Sequence, residues 1–171
     1  GSAGSAGQWS ADGMRKESSM AFKKVKGDIT EMKTDAIVNA ANSQLARGGG
    51  VCGAIFRAAA SDKLQEDCRK LAPCPTGQAV ITDGYGLPAR YIVHTVGPVW
   101  NGGGNGEEKL LRSAYTSAME QAWRKGCRSI SFPLISAGIY GYPKDEAMRV
   151  AEEAIEEFTA EHDMEVYLVL F

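Results

Sequence analysis

Two asparagines and a run of glycines form the stretch of this sequence whose residue types and spacing most clearly suggest a chemical role. Residues 35–41 predict a buried strand that delivers Asn39 and Asn42 to the turn behind it. Gly48-Gly-Gly50 follows, and a helix-like segment begins near Cys52. A helix start presents free N–H groups to anions, and glycine lets a ligand approach the backbone closely. We therefore predict a loop that binds phosphate or ribose. The alternative is a plain connection, but ordering three glycines is costly, which favours the binding loop.

A second turn with similar properties follows a later strand. Residues 129–135 predict the strand, residues 136–141 the turn, and Pro143 the start of another helix. Ligands of open α/β sheets bind beyond the carboxyl ends of the strands, so the two loops together could hold a diphosphate. Asp28 follows the first predicted strand and could accept a hydrogen bond from an amine such as that of adenine. A turn or helix-capping role for Asp28 is equally compatible with the sequence.

The elements that position these loops alternate between strands and helices. Strands are predicted at residues 20–26, 35–41, 79–82, 91–96, 129–135 and 164–171. Helices are predicted at residues 52–71, 107–125 and 143–161. Residues 101–106 are rich in glycine and lack the lysine of a phosphate-binding P-loop, so they are predicted to be a mobile connector. This alternation predicts an α/β sandwich with a largely parallel sheet.

Composition limits the classes of function. The chain has 171 residues, 44% of them hydrophobic, and a net charge of −2, which suits one globular domain and argues against binding to a nucleic-acid backbone. It contains 4 cysteines without zinc-site spacing and only 2 histidines, so we expect no metal and a reducing, cytoplasmic environment. No membrane span or secretory segment is visible. Residues 1–19 are predicted to be a vector-derived leader and flexible lead-in, and residues 20–171 the domain.

The glycines at positions 48, 50 and 53 match the spacing of a dinucleotide-binding motif. A Rossmann site needs the first glycine almost on the strand and a second strand that ends in an acid about 20 residues later. Here the strand ends near Ala41, and residues 72–75 provide neither the strand nor the acid. We therefore reject a Rossmann-type site.

Several motifs in order along the chain resemble the MacroD-type branch of the macro domain family. The resemblance covers residues 20–171 and rests on Gly27-Asp-Ile29, Val38-Asn-Ala-Ala-Asn42, Gly48-Gly-Gly-Val51, Cys74-Pro-Thr-Gly77, His94-Thr-Val-Gly-Pro98 and Ser136-Ala-Gly-Ile-Tyr-Gly141. It implies a three-layer α/β/α sandwich with a mixed, largely parallel sheet. It also implies binding of ADP-ribose, and hydrolysis of mono-ADP-ribose from acidic side chains or deacetylation of O-acetyl-ADP-ribose.

The resemblance also implies roles for individual residues. Asp28 would bind the adenine amine, Asn42 the distal ribose, and Tyr140 would pack on that ribose. Asn42, Tyr140 and Cys52 are the candidate catalytic residues. The remaining predicted ligand-binding residues are Ile29, Asn39, Gly49, Gly50, Val51, Ser136, Ala137, Gly138, Ile139 and Gly141. His94 lies in a matching motif, but a hydrogen-bonded core histidine is the favoured interpretation over a catalytic one.

Two features depart from the family pattern. The MacroD-type branch typically has aspartate where this chain has Cys52, and a thiol replaces a carboxylate only as a thiolate, which a helix start can favour. The favoured alternative is a small residue that fills space. Alphavirus-like macro domains also carry cysteine here, and their resemblance implies that a substrate phosphate oxygen positions the water. Relatives usually continue into a last helix after the final strand, so we expect either a truncated domain or part of a longer chain.

Three hypotheses follow. The first is a hydrolase that acts on ester-linked mono-ADP-ribose or O-acetyl-ADP-ribose, with mono-ADP-ribosylated proteins as partners and no cofactor. The second is a module that binds ADP-ribose without turnover. The presence of Cys52 in place of the usual aspartate supports this hypothesis. The third is a nucleic-acid-binding or nucleotide-phosphatase-like protein, which the near-neutral charge and the missing P-loop lysine disfavour.

Overall fold

A computed structural model describes residues 22–46 and 48–170, which form one mixed sheet with helices on both faces. The strands are β1 (Phe22–Lys26), β2 (Ala36–Ala40), β3 (Ala79–Asp83), β4 (Tyr91–Thr95), β5 (Ser129–Phe132) and β6 (Glu165–Leu170). Their order in the sheet is β1-β6-β5-β2-β4-β3. Only the β3–β4 pair among these strands is antiparallel. The predicted α/β/α sandwich with a largely parallel sheet is confirmed.

The helices are α1 (Gly50–Ala59), α2 (Asp62–Leu71), α3 (Glu107–Arg124) and α4 (Lys144–Thr159). Successive side chains of a strand point to opposite faces, so each central strand contributes to two cores. Ile37 of β2 packs in the cluster that contains residues of α1 and α2, whereas its neighbour Val38 packs in the cluster that contains residues of α3 and α4. The central strand β2 is therefore buried on both sides, which explains its almost uninterrupted apolar sequence.

The helix predicted over residues 52–71 is two helices. α1 ends before Ala60, whose φ of 51° is left-handed, and the side chain of Ser61 accepts a hydrogen bond from the N–H of Lys63 to begin α2. The apolar spacing is helical on both sides of this break, so periodicity alone predicts one continuous helix. The capping preference of serine was the signal that the prediction overlooked.

Some predictions concern residues outside the described ranges. The leader and lead-in, residues 1–19, and the first two positions of the first predicted strand are among them, as is Phe171 at the end of the last predicted strand. The domain boundaries therefore stay predictions. Among the described residues, no helix is long and apolar enough to cross a membrane.

Candidate functional site

The carboxyl ends of five parallel strands meet at one edge of the sheet, so the segments that follow β1, β5, β2 and β4 open on the same side. We call residues 41–49 the Asn42 loop, residues 133–143 the Ser136 loop and residues 96–106 the Trp100 loop. Because β2 lies between β5 and β4, the Asn42 loop follows the strand between the other two. The two loops predicted to bind a ligand are thus neighbours in space.

Asn42 closes a turn of its own loop with both polar groups of its side chain. Nδ2 donates to the carbonyl oxygen of Ala46, and the N–H of Ala46 donates to Oδ1, each over 3.0 Å. A primary amide has two N–H groups and its oxygen accepts twice, so one donor and one acceptor position remain for a ligand. Asn42 is only partly buried, which leaves these positions accessible. The predicted contact with a ribose hydroxyl is compatible with this geometry.

The glycines that follow have distinct backbone requirements. Gly49 caps α1, which begins at Gly50, so the predicted helix start is present. Gly50 has a φ of 57°, a left-handed value that favours glycine. A Cβ on Gly53 would lie 2.5 Å from the carbonyl oxygen of Gly48, so only glycine fits there. The first N–H groups of α1 have no acceptor within the helix, and the glycines at this helix start are exposed.

Cys52 and Asn39 lie beneath the Asn42 loop. The Cys52 thiol is 3.7 Å from the carbonyl oxygen of Ala46, and Asn39 Nδ2 is 3.6 Å from Cys52 Sγ. Cys52 is 7% exposed and Asn39 is 1% exposed. Cys52 therefore packs between the loop and the sheet, as expected of a space-filling residue. Asn39 is enclosed below the loop, and a direct contact between it and a ligand stays a prediction.

His94 connects Asn39 to the edge of the sheet. Its Nδ1 lies 3.0 Å from Asn39 Nδ2, and its Nε2 lies 2.9 Å from Thr82 Oγ1. With Asn39 oriented so that its amide donates to Nδ1, the neutral ring carries its proton on Nε2, which donates to Thr82. His94 is fully buried, and this burial lowers its pKa to about 4. The predicted hydrogen-bonded core histidine is confirmed.

Acidification is expected to destabilise the protein through His94. The pKa of His94 is about 4 in the folded state but near 6.5 when unperturbed, so the unfolded chain takes up the proton first as the pH falls. This contribution to stability is fully present above about pH 6.5 and is lost toward pH 4, by up to roughly 3 kcal/mol. Urea unfolding between pH 7 and pH 5 measures the loss.

Two variants isolate the contribution of His94 to this pH dependence. His94→Gln should be less stable at pH 7, because it disturbs the buried network, but the stability of the variant should depend less on pH. His162→Gln removes the other histidine, which stacks on Phe158 away from this site, and should leave most of the slope in place. A slope in His94→Gln as steep as in the wild type would contradict the prediction.

The Ser136 loop is a compact turn with an open face. Ser136 has a left-handed φ of 67°, its Oγ donates to the carbonyl oxygen of Pro98 over 2.7 Å, and its carbonyl oxygen accepts from the N–H of Tyr142. The N–H of Gly141 donates to the carbonyl oxygen of Gly138 over 3.0 Å. Gly138 is exposed, and Ile139 is 94% exposed. The loop is therefore fixed at both ends and open at its tip.

Three consecutive N–H groups at this tip are free to bind an anion. The backbone N–H groups of Gly138, Ile139 and Tyr140 make no hydrogen bond to any other described residue. Neighbouring free N–H groups in a turn form an anion-binding concavity. The sequence suggested that the start of α4 would supply such donors. The helix begins only at Lys144, and Pro143 has no N–H, so the turn itself supplies them.

The Trp100 loop supports the Ser136 loop, a relation that sequence reasoning missed. The N–H of Trp100 donates to the carbonyl oxygen of Tyr140 over 2.8 Å, and the rings of Trp100 and Tyr142 lie 4.7 Å apart. A Cβ on Gly97 would lie 2.3 Å from Ser136 Oγ, so glycine allows the loops to meet. Residues 101–106 were also predicted to be a mobile connector. This prediction is wrong, because three N–H groups of the segment donate hydrogen bonds to the Glu107 carboxylate.

Asp28 and Ile29 lie at the far end of the same edge. Asp28 Oδ1 accepts from the side chain and the N–H of Thr30, over 2.7 and 2.9 Å, and caps a single 3-10 turn, Ile29–Glu31. These two hydrogen bonds lower the pKa of the Asp28 carboxyl, the side-chain one most. Asp28 is exposed, whereas Ile29 is 2% exposed. The capping role is therefore observed, and Oδ2 makes no hydrogen bond to another described residue.

Two surface cavities lie away from this edge. One, of about 290 Å³, is beside β3 and is lined by residues that include Asp67, Lys70 and Tyr91. The other, of about 540 Å³, is at the amino ends of the strands, where Asp35 and Arg128 line it. Neither contains the glycine loops. The free N–H groups and the strand topology, rather than cavity volume, identify the candidate site.

The comparisons with known proteins identify the family of this chain. Residues 38–151 match the model of the family described as Macro domain. A macro domain-containing protein of Mesorhizobium japonicum is 59% identical over 125 residues, which are 73% of this chain and 70% of that protein. A protein of Escherichia fergusonii named O-acetyl-ADP-ribose deacetylase is 46% identical over 153 residues, 86% of each chain.

A solved structure supports the same relationship. The crystal structure of a Trypanosoma brucei macrodomain in complex with ADP-ribose is 40% identical, with a TM-score of 0.80 over 87% of this chain and 63% of that one. The matched family model covers the Asn42 loop, the Trp100 loop and the Ser136 loop. This chain belongs to the macro domain family.

Proposed function

We propose that this protein binds ADP-ribose along the carboxyl edge of its sheet and hydrolyses ester-linked mono-ADP-ribose or O-acetyl-ADP-ribose. The order of groups along the edge carries the proposal. Asp28 follows β1, the Ser136 loop follows β5, and the Asn42 loop follows β2. A free carboxylate oxygen, a set of free N–H groups and an amide thus occur in the order that adenine, diphosphate and distal ribose require.

The dimensions of the sheet fit the same ligand. Neighbouring strands are about 4.8 Å apart, so β1 and β2, which are separated by β6 and β5, lie roughly 14 Å apart. An extended diphosphate that carries a nucleoside at one end and a ribose at the other can span this distance. A mononucleotide fills only the end near Asp28 and leaves the Asn42 loop empty.

The proposed chemistry depends on positioning. The Asn42 loop and the first turn of α1 contain no carboxylate, and the Cys52 side chain of that turn is buried beneath the loop. A substrate phosphate oxygen, held at the N–H groups of Gly138, Ile139 and Tyr140, would orient a water molecule toward C1 of the distal ribose. At a glutamate-linked ester, the water oxygen forms the new bond to C1, the acyl carboxylate leaves with its electron pair, and the phosphate passes the water proton to solvent. At an acetyl ester on a ribose hydroxyl, the water oxygen instead forms its bond to the acyl carbon, and the ribose oxygen leaves and takes up the proton. Asn42 and Tyr140 would hold the ribose for this attack.

Calorimetry with ADP-ribose and AMP tests the binding. We expect a Kd for ADP-ribose in the range of about 1–100 μM and an AMP affinity at least roughly tenfold weaker, because AMP cannot reach the Asn42 loop. The same protein sample is then assayed for release of ADP-ribose from a glutamate-linked ADP-ribosylated protein and of acetate from O-acetyl-ADP-ribose. Equal affinities for the two ligands would contradict the proposed arrangement.

A second candidate function is a module that binds ADP-ribose without turnover. The position of Cys52 favours it, because a packed thiol replaces the aspartate that the family resemblance leads us to expect, and no other carboxylate lies on the Asn42 loop. Tight binding of ADP-ribose without release from either substrate would select this alternative. The mono-ADP-ribosylated protein would then be a binding partner rather than a substrate.

A further inference from the structure

Glu107, the first residue of α3, organises the Trp100 loop from within. Its Oε2 accepts hydrogen bonds from the N–H groups of Asn101 and Gly103, over 2.7 and 3.1 Å, and its Oε1 accepts from the N–H of Asn105 over 2.7 Å. Hydrogen bonds to an ionised carboxylate are about twice as strong as those between neutral groups. Glu107 is only 2% exposed, so it is among the buried charged residues of the described chain.

Burial of the Glu107 side chain is compensated by these donors. Burial raises the pKa of the Glu107 carboxyl, but hydrogen bonds from the backbone N–H groups of Asn101, Asn105, Glu107 and Gly103 together outweigh it and lower the pKa from its ordinary value. The carboxylate is therefore ionised at neutral pH, and its negative charge lies at the start of α3, where the helix dipole stabilises it.

The organised loop places Trp100 against the Ser136 loop. A Cβ on Gly103 would lie 2.8 Å from the Trp100 ring, so the glycine lets the ring lie on the loop backbone. From this position Trp100 donates its N–H to the carbonyl oxygen of Tyr140 and packs its ring on Tyr142. Tyr140 carries one of the three free N–H groups at the tip of the Ser136 loop. Contacts thus run without a gap from Glu107 to the proposed diphosphate site.

We propose that Glu107 is a positioning residue for ligand binding, which acts through Trp100 on the N–H groups of the Ser136 loop. It contacts no ligand itself. The inference rests on the proposed function, because it requires a diphosphate ligand at that loop. It extends that function by assigning a role to the glycine-rich segment 101–106, which the family comparison leaves without one.

The test compares Glu107→Gln with glycine variants of the same loop. Glutamine keeps the shape of Glu107 but loses the charge and the acceptor at one oxygen, and we expect it to weaken ADP-ribose binding about tenfold. Glu120→Gln, the same change at an exposed position of α3, should leave the affinity unchanged. Melting temperatures of both variants establish that the calorimetry is done on folded protein.

Gly103→Ala acts on Trp100 and keeps the carboxylate at position 107, and Gly102→Ala is its matched control. Both glycines have left-handed φ values, 90° at Gly102 and 88° at Gly103, so alanine is strained at each. Only at Gly103 does a Cβ meet Trp100, whereas no described atom lies within 4 Å of a Cβ at Gly102. We expect Gly103→Ala to weaken ADP-ribose binding about as much as Glu107→Gln, and Gly102→Ala to have little effect.

The double variant decides whether the two residues act through one path. If both act through Trp100, Glu107→Gln and Gly103→Ala together should cost little more affinity than either alone, because effects on a shared element are not additive. Additive effects, or a wild-type affinity in Glu107→Gln, would overturn the inference. Should Glu107→Gln fail to fold, the comparison of Gly103→Ala with Gly102→Ala decides, and equal affinities overturn the inference. Failure of the wild type to bind ADP-ribose would instead overturn the proposed function.

Discussion

Gly138→Glu is expected to abolish ADP-ribose binding and leave the fold intact. Gly138 is exposed at the tip of the Ser136 loop, no described atom lies within 4 Å of a Cβ placed on it, and its φ is not left-handed, so a side chain is tolerated. A glutamate there would occupy the diphosphate path and place a like charge against it. Two unit charges 4 Å apart near a protein surface repel by about 4 kcal/mol, which corresponds to a loss of affinity of several hundredfold.

Two substitutions at the same position separate size from charge. Gly138→Ala should bind ADP-ribose within about threefold of the wild type, because the methyl group points into open space. Gly138→Gln should lie between the alanine and glutamate variants. Calorimetry and thermal melting on the three proteins measure affinity and folding together. A folded Gly138→Glu protein that binds ADP-ribose normally would show that the diphosphate lies elsewhere.

Asn42→Ala is expected to reduce turnover far more than it reduces binding. Alanine removes the hydrogen bonds in both directions between the Asn42 side chain and Ala46, and with them the group proposed to hold the distal ribose. A misplacement of about 1 Å at a reacting centre can cost roughly 100-fold in rate. Release of ADP-ribose from a glutamate-linked substrate under single-turnover conditions measures the effect. Ser43→Ala, which changes the exposed neighbour, is the control.

Cys52 provides the comparison that identifies the source of this loss. Cys52→Ala should retain most of the activity if the thiol only fills space and the substrate assists its own hydrolysis. A loss in Cys52→Ala as large as in Asn42→Ala would make the thiol a participant in the reaction. If the wild type binds but does not hydrolyse, gain of activity in Cys52→Asp would show that the missing carboxylate had silenced the site.

The fold was largely predictable because its strands and helices differ in hydrophobic period. The apolar run of β2 and the apolar stripe of α3 are each typical of one kind of element, and their alternation along the chain indicates a parallel sheet. The break at Ala60 was missed because a left-handed residue leaves the apolar spacing unchanged. The order of the strands could not be predicted from the sequence either, since the pairing of β1 with β6 depends on contacts between distant parts of the chain.

The loops of the site could be predicted from the sequence, but the contacts that hold the loops in place could not. Asparagines after a strand and glycines before a helix have local reasons that a sequence displays, which is why the Asn42 loop and the start of α1 were found. The contact between Trp100 and Tyr140 joins two loops that follow different strands, so no local sequence pattern indicates it. One signal was available for Glu107: an acid at the first helical position after a glycine-rich loop is placed to bind the N–H groups of that loop.

The pairing of β1 with β6 also has a consequence for the order in which the protein can fold. Phe22 pairs with Val166, and the N–H of Gly27 donates to the carbonyl oxygen of Leu170, so β1 has no neighbour in the sheet until the last strand has been synthesised. Such distant pairings slow folding, because the long intervening chain must be closed first. Asp28 is held directly behind β1. The Asn42 loop and the Ser136 loop can therefore assemble on the ribosome earlier than the end of the site proposed to bind adenine, which is completed last.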